Sequence, residues 1–273
     1  MRTLAFFSII LLAITMKTSA QDANKLLWDL FENYDEYNLT QNPEGATYEG
    51  DHRFDDLLSD HSEEASNKYY DRMRLFLSEL EGINYKSLNE ENKLNYDLFA
   101  RNLYLTLDGE KFKWHYMPLG QQGGIHIGFP QIVNVQPLST YSEYQKYFKR
   151  LRGFDKQVTD VIANMKKGMK AGLVPPAFII EQTLPQMESI MDADAEKSLF
   201  YLPINKENKL SAEEKENTAK ELRTIINESI NPAYKRLHDF VKNEYLPNCR
   251  KDAGIWSLPD GKERYENAVK YYT

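Results

Sequence analysis

The stretch YEGDHRFDDLLSDH, residues 48–61, gathers Asp51, His52, Asp55, Asp56 and His61 into a short span. All five are metal-ligand types. A metal site needs convergent geometry, and paired histidines on a helix come at i and i+4. His52 and His61 lie further apart than that, across a turn signalled by Gly50. The local reading is that Gly50 makes the turn and that Asp51 caps the next segment or pairs with Arg53. The second candidate is GQQGGIHIG, residues 120–128. It has neither G-x-G-x-x-G nor G-x-x-x-x-G-K-[ST] spacing, so a nucleotide cradle is not indicated. Its glycines do let a ligand approach the backbone closely. Gln121, Gln122, Gly123 and Gly124 are therefore the candidate substrate-binding residues.

Other chemistry is missing from the sequence. There is no G-x-S-x-G elbow, no H-E-x-x-H and no paired cysteine. Cys249 is the only cysteine, which excludes an internal disulfide and a cysteine zinc site. No metal ligand set and no catalytic residue is assigned to this chain. Asp192 and Asp194 fall in a polar connector and read as a solvated turn. Asn38-Leu39-Thr40 and Asn227-Glu228-Ser229 fit the glycosylation triplet, a pattern common by chance.

The elements that must position the glycine loop are helices. Leu26, Leu27, Leu30, Phe31 and Tyr34 form one apolar face, and Tyr69, Tyr70, Met73, Leu77 and Leu80 form another after Ser62. Ser87 with Glu90, Thr140 with Glu143 and Ser211 with Glu214 read as capping boxes, and Gly109 and Gly172 as helix stops. From Ser211 the pattern runs through Leu222, Ile225, Ile226 and Ile230, and resumes at Tyr234, Leu237, Phe240 and Val241. Pro232 either kinks one long helix there or separates two. One stretch departs from helical spacing. Residues 111–116 alternate Lys111, Lys113 and His115 with Phe112, Trp114 and Tyr116, which predicts a strand, and Ile132 to Val135 is a second β-like run. The expected fold is all-α, an elongated helical array with one small strand or hairpin segment around 111–135.

Residues 1–20 have a positive start at Arg2, an apolar run and small residues before Gln21, the layout of a secretory signal peptide. Removing them deletes two positive charges, Arg2 and Lys17, and takes the formal net charge from −7 to −9. An acidic surface with interleaved charges argues against nucleic acid as a partner. The expected product is exported, periplasmic or extracellular, with no membrane partner after cleavage.

The order of GDHRFDD, RNLYL, PLGQQGG, YFKRLRGF, MKKGMKAGLVPP, NPAYKRLHDFVKNEYLP and GIWSLPDGKERYENAVKYYT resembles the N-terminal half of the bacterial family catalogued as domain of unknown function 885. The resemblance covers nearly all of residues 21–273. It implies a helical fold similar to the zincin-like carboxypeptidases, in which an H-E-x-x-H helix and a further acid hold zinc and the Glu activates water. No position here matches that motif, so zinc is expected only with a missing C-terminal half. The stripe Tyr265, Ala268, Val269 and Tyr272 stops in mid-pattern, and Thr273 reads as a truncation point within a single larger helical domain. Two functions follow. One is the non-catalytic N-terminal half of an exported, zinc-dependent peptidase-like protein, supplying groove wall and peptide-substrate contacts. The other is a stand-alone exported helical binding protein without enzymatic activity.

Overall fold

The computed structural model describes residues 2–191 and 194–272, with side chains from residue 22 onward. The signal-peptide reading rests on side chains outside the described residues, as does Asp192. Among the described residues no helix is long and apolar enough to cross a membrane. The helices run α1 (Arg2–Gln41), α2 (Pro43–Tyr48), α3 (Glu63–Glu81), α4 (Glu90–Gly109), α5 (Ile125–Gly128) and α6 (Ile132–Val135). They continue with α7 (Tyr141–Lys170), α8 (Ala177–Glu181), α9 (Thr183–Glu188), α10 (Ala212–Ile225), α11 (Asn231–Phe240) and α12 (Gly261–Tyr272). The fold is mainly helical, with no sheet among the described residues.

The chain packs into two compact units. The first comprises residues 1–38, 67–111 and 267–273; the second comprises 39–66 and 112–266. In the first unit, Leu27 and Leu30 of α1 are buried with Met73, Phe76 and Leu80 of α3 and Leu103 of α4. Aromatic edges tie these helices: Tyr34 meets Phe99 at 4.9 Å and Phe76 at 5.3 Å between ring centroids. Such edge-to-face pairs add to the burial of each ring. The expected capping box at Ser87 does not form. Ser87 ends a 3₁₀ turn, and Asn89 caps α4 by accepting from Asn92 N.

The second unit is organised on α7. Tyr144, Tyr147, Phe148, Leu151, Phe154, Val158, Val161 and Met165 repeat every three or four residues and are all buried. They pack with Leu222, Ile225, Ile226, Ile230, Tyr234, Leu237 and Val241. The capping boxes at Thr140 and Ser211 are both complete. Gly172 stops α7 as expected: its φ is +69°, Leu173 N donates to Gly168 O at 2.8 Å and Gly172 N to Met169 O at 3.2 Å.

Pro232 neither breaks the helix nor ends it. Ile226–Ile230 forms a π turn between α10 and α11, and the chain continues. The wider turn accommodates a residue that lacks an N–H and crowds the carbonyl behind it. A second π turn, Val241–Tyr245, precedes Pro247 in the same way.

The strand expected at residues 111–116 is absent. Glu110–Phe112 and Trp114–Tyr116 are 3₁₀ turns, joined by Lys113 at φ +48°. Two of the three alternating aromatics, Phe112 and Trp114, serve a partner far along the chain. Arg264 is 1% exposed, lies 5.1 Å from the rings of both Phe112 and Trp114, and donates to Phe112 O at 2.7 Å. Ile132–Val135 is likewise a helical turn, α6, that buries Ile132. The only extended pairings among the described residues are two isolated bridges, Gly120 with Gly123 and Pro176 with Arg250.

Candidate peptide-contact loop

The acidic-histidine stretch folds into a support for α7. Gly50 takes φ +89°, and Asp51 caps the 3₁₀ turn His52–Phe54 while its carboxylate pairs with Arg53. That hydrogen bond from Arg53 holds the Asp51 carboxyl below the usual range. Asp55 is buried, accepting from Thr47 Oγ1 at 2.7 Å and facing His52 Nδ1 at 3.1 Å. Asp56 pairs with Lys149 at 2.6 Å.

Arg150, wholly buried on α7, is the centre of this arrangement. Its Nε donates to Leu57 O at 2.8 Å. One terminal nitrogen donates to Thr47 Oγ1 and Gln136 Oε1, at 3.0 and 3.1 Å. The other donates to Phe54 O and Pro43 O, at 2.7 and 3.3 Å. Five donors meet five acceptors, so the guanidinium is fully satisfied. Further along α7, Gln157 Nε2 donates to Glu44 Oε1 and Ser59 O, both at 2.9 Å, and Asn164 Nδ2 to His61 O at 2.7 Å. These residues hold structure.

Among the described residues no group of three His, Cys, Asp or Glu is placed to hold a metal ion. His52 and His61 belong to the support just described, and His238 sits between Glu188 and Asp239, at 3.0 and 3.3 Å. The described residues do not converge on a zinc site, and no hydrolytic step is assigned to them. Burial pushes the Cys249 thiol up to about 12, and its Sγ lies 3.4 Å from Tyr245 O. That environment disfavours the thiolate a nucleophile needs.

The glycine loop is built differently. Gly120 N donates to Gly123 O at 2.9 Å and Gly123 N to Gly120 O at 3.3 Å, closing a tight turn with Gln121 and Gln122 at its tip. Both glutamines and Gly123 are exposed. A β carbon added at Gly123 would meet nothing within 4 Å, so packing does not explain the glycine. Gly124 is the opposite case. Its φ is +124°, and a β carbon there would lie 2.9 Å from Pro118 O and 3.0 Å from His126 Nδ1. Only glycine fits that backbone.

Beneath the loop lies His126, with no exposed surface. Its Nε2 is 3.0 Å from Gln186 Oε1, and Gln186 Nε2 donates to Gln121 O at 3.0 Å. Because the amide nitrogen of Gln186 donates to a carbonyl, its oxygen must accept from His126. The network therefore assigns the proton to Nε2. Burial lowers the His126 pKa and keeps the ring neutral. Its Nδ1 is buried without a hydrogen-bond partner. Tyr234 OH donates to His126 O at 3.2 Å. Gln121, Gln122, Gly123 and Gly124 are thus one continuous surface turn. His126 and Gln186 carry no signature in the sequence beyond an imidazole set between two isoleucines.

A family model described as bacterial protein of unknown function, DUF885, matches residues 43–273. No curated protein matches the chain. A solved structure, described as "the putative lipoprotein from Colwellia psychrerythraea", superposes with a TM-score of 0.78 at 20% identity. The match covers 92% of this chain and 46% of that one, so the chain spans about half the length of that relative. At this identity the likeness is one of fold.

Proposed function

Because this chain belongs to the DUF885 family, we propose that it forms the non-catalytic portion of a longer, exported, peptidase-like protein. In that role it supplies groove wall and substrate contacts. The half-length match to a helical relative carries this reading. The relative's description as a lipoprotein is consistent with export. The contact surface is the turn at Gln121, Gln122, Gly123 and Gly124, exposed at its tip and free of charged side chains. Zinc and its ligands belong, on this reading, to the portion of the longer protein that this chain does not match.

Two measurements test it. Purified residues 21–273 should hold no stoichiometric zinc and show no chelator-sensitive peptide hydrolysis. One tightly held zinc per chain would place the metal site here and defeat the proposal. In a protein of the relative's full length, Gly123→Val should raise the KM for peptide hydrolysis and leave kcat unchanged. The variant should fold, since the new side chain starts in open space and φ there is not in the left-handed region. Unchanged kinetics would remove the loop from the substrate path.

A further inference from the structure

We propose that His126 and Gln186 are positioning residues for the Gln121–Gly124 turn, a buried strut that fixes how its tip is presented to an uncharged peptide main chain. The proposal rests on the peptide-contact reading above. It goes further by naming the residues that set the contact and the chemistry they favour.

The turn alone is weakly specified. It is closed by two backbone hydrogen bonds between Gly120 and Gly123, one of them 3.3 Å long. Glycine-rich backbone has many accessible conformations to lose on ordering. The tie outside the turn is the bond from Gln186 Nε2 to Gln121 O. A glutamine amide by itself presents either its NH₂ or its oxygen to a neighbour. His126 removes that choice. Its Nε2–H requires the Gln186 oxygen, which turns the amide nitrogen toward Gln121. The main chain that carries the imidazole is anchored in turn: the His126 carbonyl accepts from Tyr234, whose ring is fully buried and 4.8 Å from Phe154. A line of contacts therefore runs from the core to the loop tip. His126 Nδ1 is buried with no hydrogen-bond partner among the protein atoms, so Nε2 makes the only polar contact of the ring. The fold tolerates that cost at the one residue that orients Gln186.

The chemistry offered at the tip follows. Residues 117–128 include no Asp, Glu, Lys or Arg. The exposed groups of Gln121 and Gln122 are carboxamides, each able to donate and accept. Such a surface matches the amides of a peptide main chain better than a charged terminus.

The test uses the purified chain and an N-acetylated, C-amidated penta-alanine peptide as probe. Amide hydrogen exchange is followed at residues 120–124, and peptide binding by NMR titration. His126→Leu and Gln186→Leu should each speed exchange in the turn about three- to tenfold, as expected for one lost hydrogen bond. Both should weaken peptide binding by a similar factor. His126→Gln keeps a donor and should restore both. His126→Leu should leave Tm unchanged or raise it, because it also removes the unpartnered Nδ1; a merely structural histidine would lower Tm instead. Unchanged exchange in both leucine variants overturns the strut. Faster exchange in a chain whose wild type fails to bind the peptide overturns the peptide reading, and with it the positioning role.

Discussion

Arg150 is the residue on which the second unit depends most visibly. Replacing it with Met keeps the volume, leaves Gln136 Oε1 and Leu57 O without a donor, and takes one partner each from Thr47 Oγ1, Phe54 O and Pro43 O. Each buried orphan costs about 1–3 kcal/mol, and losing one partner of a buried charged network costs about 3–5 kcal/mol. Arg150→Met should therefore lower urea-unfolding stability by at least about 3 kcal/mol. Arg152→Met, two residues away and half exposed, should change it by under about 1 kcal/mol. Equal effects would mean that the network is not what holds the unit. Histidines supply a second test. Burial holds His61, His115 and His126 below the ordinary imidazole value. The unfolded chain then binds more protons than the folded one between those lowered values and about 6.5. Their contribution is complete above about pH 6.5 and is lost as pH falls through the lowered folded values. Tm should fall between pH 7 and pH 5, and His126→Gln should flatten the slope. A flat wild-type profile over that range would contradict the burial of these rings.

At the scale of elements, two helical glycines differ in what a methyl would meet. At Gly168 a β carbon would lie 2.6 Å from Tyr116 O and 2.8 Å from Leu173 O, both backbone atoms. At Gly109 the nearest atom is Asn267 Oδ1, at an ordinary 3.7 Å. Gly168→Ala should destabilise by about 1–3 kcal/mol through overpacking. Gly109→Ala should be neutral or stabilise by up to about 1 kcal/mol. Thermal unfolding of the two variants side by side checks the opposite signs. The elements also show what a one-dimensional pattern conveys. The face of α7 and the two surviving capping boxes were legible because their partners lie within one turn, at Thr140 with Glu143 and Ser211 with Glu214. At residues 111–116 period two does not make a pleat, because the segment folds as two 3₁₀ turns. Phe112 and Trp114 lie against Arg264 and Tyr116 donates to Glu63, partners no local window contains. Ser87 does not cap α4 because it closes the 3₁₀ turn Tyr85–Ser87, and the helix starts two residues on, capped by Asn89. In the candidate site the exposed glycines were legible; the strut was not, since Gln186 meets Gln121 only through the fold.

For the whole chain, the feature that bears on function is the exposed face of α12. Tyr265 is 59% exposed and Tyr272 86%, while Gly261, Arg264 and Asn267 are buried on the other side of the same helix. A helix of this length is marginal without packing on its apolar stripe. If the proposed longer protein covers that stripe, Tyr265→Ser with Tyr272→Ser should leave the Tm of residues 21–273 within about 2 °C, since surface changes of this kind lie within about 0.5 kcal/mol. In a chain of the relative's length the same pair should lower Tm by several degrees. Equal, small shifts in both would favour the stand-alone binding protein.

The Arg150 network also sets a timetable. Thr47 and the arginine that binds it are 103 residues apart, and the whole segment 67–111 of the other unit lies between them. At about 5–20 residues per second, a chain made in order from its N-terminus waits roughly 5–20 s before Arg150 exists. During that interval the segment from Pro43 to His61 has none of its α7 partners. Its carbonyls and acids stay hydrated, and it is open to any protease that meets it. A chain interrupted before α7 is complete would keep that segment without its α7 partners.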